Sequence, residues 1–258
     1  MRIDIVTLFP EMFSGYLSSS MMDKARKLEL LDVNIHNIRD YAEGKHRITD
    51  EPPYGGGGGM VLKPEPIFSA VESITGSDQH SSGDDNSMRI PVILLTPQGR
   101  SFSQKIAREL SHHDRLILVC GRYEGVDERV REYAATDELS IGDYVMTGGE
   151  LAAMVVLDAV TRLIPGVLGA EGAELNDSFE SGLLEGPHYT RPHDFRGWSV
   201  PDVLRSGHAA AINKWRRQQA LRRTWLRRPE LLLEADLSEE DKFFLMVLAE
   251  ERMEGIRD

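Results

Sequence analysis

Three short segments concentrate glycine beside polar and aromatic residues: TPQGR at 96–100, GRYEG at 121–125 and IGDYVMTGGE at 141–150. Each lies at the carboxyl side of an apolar run, which is where open α/β sheets bind ligands. Glycine there lets backbone N–H and C=O groups approach a ligand closely. Any one of these loops reads as an ordinary turn; three in consecutive strand–loop units predict a shared pocket. A fourth segment, YGGGGGM at 54–60, fits neither a helix nor a strand interior. It reads equally as a loose linker or as backbone lying flat against a large ligand. Asp177-Ser178-Phe179 sets a carboxylate beside a hydroxyl and a ring, a pattern that by itself favours a helix cap. Arg162, near a helix end, reads first as a favourable contact with the helix dipole. The stretch Lys214 to Arg228, KWRRQQALRRTWLRR, holds seven basic residues and no acidic one. It is either a solvated helix face or a local grip for phosphates. Cys120 ends a strongly apolar run and reads as a buried structural thiol rather than a nucleophile.

What is missing narrows the chemistry. No G-x-G-x-x-G follows the first strand and no G-x-x-x-x-G-K-[ST] occurs, which argues against dinucleotide and P-loop binding. No H-E-x-x-H and no paired cysteines occur, so no metal ligands are assigned. The 258 residues are 41% hydrophobic and 28% charged, enough for one large core or two smaller ones. A net charge of −12 argues against a uniformly nucleic-acid-binding surface, but charge acts locally, and a basic stretch on an acidic chain stands out. The N-terminus lacks the pattern of a signal peptide, no apolar run is long enough to span a bilayer, and one cysteine leaves no intramolecular disulfide. A cytoplasmic protein, with no membrane partner, is expected.

These segments need a scaffold. Ile3, Ile5 and Leu8 fall in a strand pattern that stops at Pro10. A helix is predicted from about Ser20 to Leu31, a second alternating run from Val33 to Tyr41, and a helix over PEPIFSAVESI at 64–74. SDQHSSGDDNS at 77–87 reads as a flexible surface loop. PVILL at 91–95, RLILV at 115–119 and a weaker segment at 141–146 predict strands, with helices after the first and last. Thr147 with Glu150 predicts a capping box for a helix running to about Leu163. Alternating strands and helices imply an α/β domain with a parallel sheet covered on both faces. PGVLGAEGAELND at 165–177 is small, acidic and aperiodic, a linker by composition. No strand pattern follows it. Pro201 opens a short helix ending at Gly207, and a longer one runs from Ala209 to Arg228 and stops at Pro229. Ser238 caps a last helix whose Phe243, Phe244, Val247 and Leu248 share one face. The division expected is 1–168, a linker at 169–180, and a small all-α domain at 181–258.

Several of these segments, with others, carry a resemblance: LFPEMF (8–13), PYGGGGGM (53–60), TPQGR (96–100), LILVCGRYEGVDERV (116–130), SIGDYVMTGGELAAM (140–154), RLIPGVLG (162–169), DSF (177–179), GLLEGPHYTRP (182–192) and RRTWLRRPELL (222–232). Together, in this order and over nearly the whole chain, they resemble the tRNA (guanine-N1)-methyltransferase family, TrmD, of the SPOUT superfamily. The resemblance implies a SPOUT-type sheet with a deep trefoil knot, which periodicity does not show and which is very rare among folds. It implies a homodimer, a tRNA anticodon stem-loop as partner, and S-adenosyl-L-methionine as cofactor. It places the cofactor against Leu94, Leu95, Thr96 and Pro97; against Gly121, Tyr123, Glu124 and Gly125; and against Ile141, Gly142, Tyr144, Met146, Gly148 and Gly149. It makes Asp177 the general base and Arg162 its partner, and gives Gly59, Met60, Lys214, Arg216, Arg223 and Arg227 to the substrate. The family's association with Mg²⁺ adds an ion that no ligand cluster in the sequence marks. The implied reaction methylates guanine N1 at tRNA position 37, 3′ of the anticodon. Its alternative is a SPOUT enzyme acting on a ribose 2′-hydroxyl or on rRNA. The sequence departs from the family pattern at Gly58 for a frequent proline, Leu94 for a frequent tyrosine and Glu185 for a common aspartate.

Overall fold

A computed structural model describes residues 1–76, 90–169 and 177–254. The chain forms two compact units, Met1–Gly169 and Ala170–Asp258. The expected loop at 77–87 and most of the expected linker lie outside the described residues.

In the first unit β1 (Arg2–Thr7) leads through α1 (Ser14–Leu17) and α2 (Ser20–Lys27) to β2 (Asp32–Asn37). The short strands β3 (Asp50–Glu51) and β4 (Val61–Leu62) pair antiparallel and flank the five glycines. Then come α3 (Pro64–Thr75), β5 (Val92–Ser101), α4 (Gln104–Ser111), β6 (Arg115–Cys120), α5 (Glu128–Tyr133), β7 (Asp137–Ser140) and α6 (Glu150–Thr161). The main sheet is parallel throughout, in the order β2-β1-β6-β5-β7. Side chains alternate across a strand, so each central strand feeds two cores. Ile3, Ile5, Ile93, Leu95, Leu116, Leu118 and Cys120 pack with α2, α4 and α6. Val6, Val92, Leu94, Ile117 and Val119 pack with α3 and α5. Burial on both faces is why these strands read as continuous apolar runs.

One charged residue sits inside this sheet. Asp4 is fully buried and accepts from Arg2 (2.8 and 3.0 Å), His36 Nε2 (2.9 Å) and Arg115 Nε (3.0 Å). Burial pushes its carboxyl up, but the hydrogen bonds from His36, Arg2 and Arg115 outweigh it and hold the pKa at about 2.

Several boundaries differ from expectation. α2 stops at Lys27 rather than Leu31, because Glu29 turns to φ 59° and Leu30 N–H bonds back to the Ala25 carbonyl. The third glycine-loop strand is Asp137–Ser140, not 141–146, which is irregular. β7 is an edge strand, and its acidic start hides the apolar pattern. Asp137 is held by Arg100 Nη2 at 2.7 Å and Glu138 by Arg131 at 3.4 Å. Thr147 makes no capping box: α6 is capped at Gly149 with no side-chain hydrogen bond, and Glu150 turns inward. No helix starts at Asp177, where residues 177–180 form a turn closed by Glu180 N–H to the Asp177 carbonyl.

The second unit holds α7 (Ala209–Arg227) and α8 (Glu239–Glu254). Ser238 caps α8 as expected: its hydroxyl accepts from Asp241 N–H, and its own N–H donates to the Asp241 carboxylate. Phe243 leaves the shared face and is 63% exposed, while Leu248 is buried. The unit also carries a hairpin, β8 (Asp194–Phe195) with β9 (Trp198–Ser199), which corrects the all-α expectation. Strands of two residues are too short to show a period.

Candidate active site

The glycine loops converge at the carboxyl ends of β5, β6 and β7. β6 runs straight into Gly121, and the loop that follows β7 folds back over it. Gly149 N–H donates to the Gly121 carbonyl at 2.8 Å, and Arg122 bridges Gly148 antiparallel. Gly149 is required by this approach. A Cβ there would lie 2.9 Å from Cys120 Cα and 3.1 Å from Gly121 N. The second loop is pinned from its other side by the end of the five-glycine segment. Glu124 N–H donates to the Met60 carbonyl at 3.0 Å, and Leu62 N–H to the Gly125 carbonyl at 3.0 Å. At Gly59, with φ 84°, a Cβ would lie 2.3 Å from Glu124 Oε1. The packed end of the glycine segment therefore argues against a loose linker.

Between the loops lies a cavity of about 310 Å³. Leu94, Leu95, Thr96, Pro97, Gly121, Tyr123, Glu124, Gly125, Ile141, Gly142, Tyr144, Met146, Gly148 and Gly149 all line it, so every residue assigned to the cofactor by resemblance meets here. Gly59 and Met60 do not line it but abut it through Glu124. Its size is at the lower end of the roughly 300–1,000 Å³ of small-molecule sites, and its wall mixes aliphatic side chains with backbone polar groups. That fits a compact ligand with an apolar ring and polar edges. Tyr123, at φ 59°, is a rare left-handed tyrosine on the rim.

Beneath the cavity sits a group for which the sequence pattern predicts only a capping role. Glu150 is 1% exposed; it accepts from Thr7 Oγ1 at 2.9 Å and from Arg122 Nη1 at 3.2 Å. Arg122 stacks on Phe9, its guanidinium carbon 4.4 Å from the ring centre. Glu150 thus ties the end of β1, the second loop and the start of α6 together. Its position at the first residue of α6, beside two glycines, was the available signal. Burial pushes the Cys120 thiol well up, and the Glu150 charge adds to it, so the thiol stays protonated.

Arg162 is the residue that ends α6, and its side chain is half-buried. Asp177 is half-buried in the turn that opens the described part of the second unit. The basic residues of α7 divide in use. Lys214 pairs with Glu240 and Arg217 with Asp241. Arg223 donates to the Glu185 carbonyl at 3.1 Å. Arg216, Arg222 and Arg227 are exposed and have no carboxylate partner among the described residues. Among those residues no cluster of His, Cys, Asp or Glu could hold a metal ion, and no helix is long and apolar enough to cross a membrane.

A parallel sheet whose three adjacent loops close one cavity defines an α/β protein with a small-molecule-sized site at the carboxyl ends of its strands. The particular family follows from comparison. Residues 1–234 match the model described as tRNA (Guanine-1)-methyltransferase TrmD. The chain is 56% identical to the tRNA (guanine-N(1)-)-methyltransferase of Dehalococcoides mccartyi over 256 residues, 99% of this chain and 100% of that protein. It is 56% identical to the protein of the same name from Brevibacillus brevis (98% and 100% covered), and 55% identical to that from Moorella thermoacetica (100% and 99%). The chain belongs to the TrmD family.

Proposed function

We propose that this chain transfers a methyl group from S-adenosyl-L-methionine to guanine N1 of tRNA, at the guanosine 3′ of the anticodon. The observation that carries the reading is the convergence of all three glycine loops on one backbone-walled cavity in a chain of this family. Leu94, Leu95 and Ile141 offer apolar walls for a purine ring, and the loop backbones offer hydrogen bonds to its edge and to the ribose. When bound, S-adenosyl-L-methionine supplies an electrophilic methyl group on a sulfonium.

The remaining chemistry is the protein's. Guanine N1 carries a proton at neutral pH and is a poor nucleophile until it leaves. Asp177 accepts that proton as a general base. Negative charge then develops on O6, and the Arg162 guanidinium stabilises it. The target lies in an unpaired loop, so removing it from its stack is inexpensive. Arg216 and Arg227 meet the phosphates of the anticodon stem.

The same reading carries a SPOUT-type knot in 1–168, a linker over 169–180, and an RNA-binding domain in 181–258. It carries a homodimer, supported by the exposed apolar side chains Leu151 and Val155 on α6, and action in the cytoplasm. In the test, Asp177→Ala lowers kcat at least a thousandfold while the calorimetric Kd for S-adenosyl-L-methionine stays within about threefold. A parallel loss of cofactor binding, or unchanged turnover, contradicts the base assignment.

A further inference from the structure

The β8–β9 hairpin holds two aromatic rings in water. Its turn is Arg196-Gly197, with φ 57° and 85°, a two-residue connection that suits the twist of paired strands. Asp194 fixes the turn, its carboxylate accepting from Gly197 N–H at 3.1 Å and from Ser199 Oγ at 2.9 Å. Phe195 and Trp198 face each other across the ladder, ring centres 6.2 Å apart at 43°, and are 54% and 71% exposed. The Arg196 guanidinium lies 5.1 Å from the Phe195 ring centre. In the same unit, Arg191, His193, Arg205 and Arg216 line a cavity of about 740 Å³ with no carboxylate in its wall. Arg205 reaches Asp202 only at 3.5 Å.

Two rigid, solvated rings beside a cationic hollow are not explained by folding, since neither ring is buried. Rings on a fixed turn lose little entropy on binding, and a cationic wall selects a polyanion. We propose that this hairpin is a stacking finger for an unpaired nucleobase of the RNA substrate, with Arg191 and His193 meeting the adjoining phosphates. The inference rests on the tRNA reading above and assigns it a contact outside the glycine-loop cavity. Every base has a π face, so such a finger adds affinity without sequence preference.

The test measures tRNA binding by the intact protein and by Trp198→Ala, Trp198→Phe and Phe195→Ala. Calorimetric binding of S-adenosyl-L-methionine serves as the folding control. Trp198→Ala is expected to weaken tRNA binding about tenfold with an unchanged salt slope, because stacking releases no counterions. Trp198→Phe keeps a π face and is expected to retain most of the affinity. Equal affinity of Trp198→Ala and the parent overturns the finger while leaving the tRNA reading intact. A monomer–dimer shift in sedimentation with Trp198→Ala also overturns it, because a second copy of the chain then covers the rings. A parent protein that binds no tRNA overturns both.

Discussion

Under the proposed function, the cavity in the first unit and α7 in the second approach recognition by opposite means. The cavity is walled by loop backbone and aliphatic side chains, and its loops are fixed by main-chain hydrogen bonds and by one buried carboxylate. On α7, the exposed Arg216, Arg222 and Arg227 stand on a helix whose other basic residues are engaged inside the unit. A site made of backbone tolerates almost no added atoms but is indifferent to salt. A site made of exposed charge tolerates single losses and responds to salt throughout. The contrast teaches where each unit is fragile.

The cavity is most fragile at Gly149. Gly149→Ala forces Cys120 and Gly121 apart, and cofactor binding by calorimetry should weaken at least a hundredfold, about 3 kcal/mol, while tRNA binding persists. If cofactor binding survives, the loops are more pliant than their contacts imply. Next comes Glu150→Ala, which strands Arg122 and Thr7. Chemical denaturation should show a loss of about 3 kcal/mol, with Glu150→Gln less affected because the Thr7 bond remains. On the other side, Arg216→Ala and Arg227→Ala should each weaken tRNA binding several-fold and lower the salt slope by about 1. Arg223→Ala should lower stability instead, since that guanidinium holds Glu185. Acid should sharpen the picture within the first unit. Asp4 has a folded pKa of about 2, below the ordinary value of about 3.9. Its stabilisation is therefore complete above about pH 4 and is lost as pH falls toward 2, and Asp4→Asn should flatten that dependence. The smallest effect is at Cys120, which should resist alkylation in the native protein and react once it unfolds.

The cavity was legible in the sequence because backbone recognition leaves glycines as its trace, and each loop kept its own motif. The parallel sheet was legible because burial on both faces gives runs such as RLILV. β7 was misplaced because its acidic residues are neutralised by arginines outside the strand, Asp137 by Arg100 on β5 and Glu138 by Arg131 on α5. Glu150 shows locally only the capping-box spacing from Thr147, because its actual partners, Thr7 and Arg122, lie far away in the chain. The hairpin was missed because its only local signal is Arg196-Gly197, and its strands are two residues each. In α7 the sequence counted charges; only the fold shows that Lys214, Arg217 and Arg223 are engaged within the protein.

The central claim is tested most directly by methyl transfer from labelled S-adenosyl-L-methionine to two unmodified tRNA transcripts that differ only at the residue 3′ of the anticodon. Label is expected in the transcript with G there, recovered as 1-methylguanosine on digestion, and none in the transcript with A. Equal label in both, or none in either while the cofactor binds, would contradict that claim.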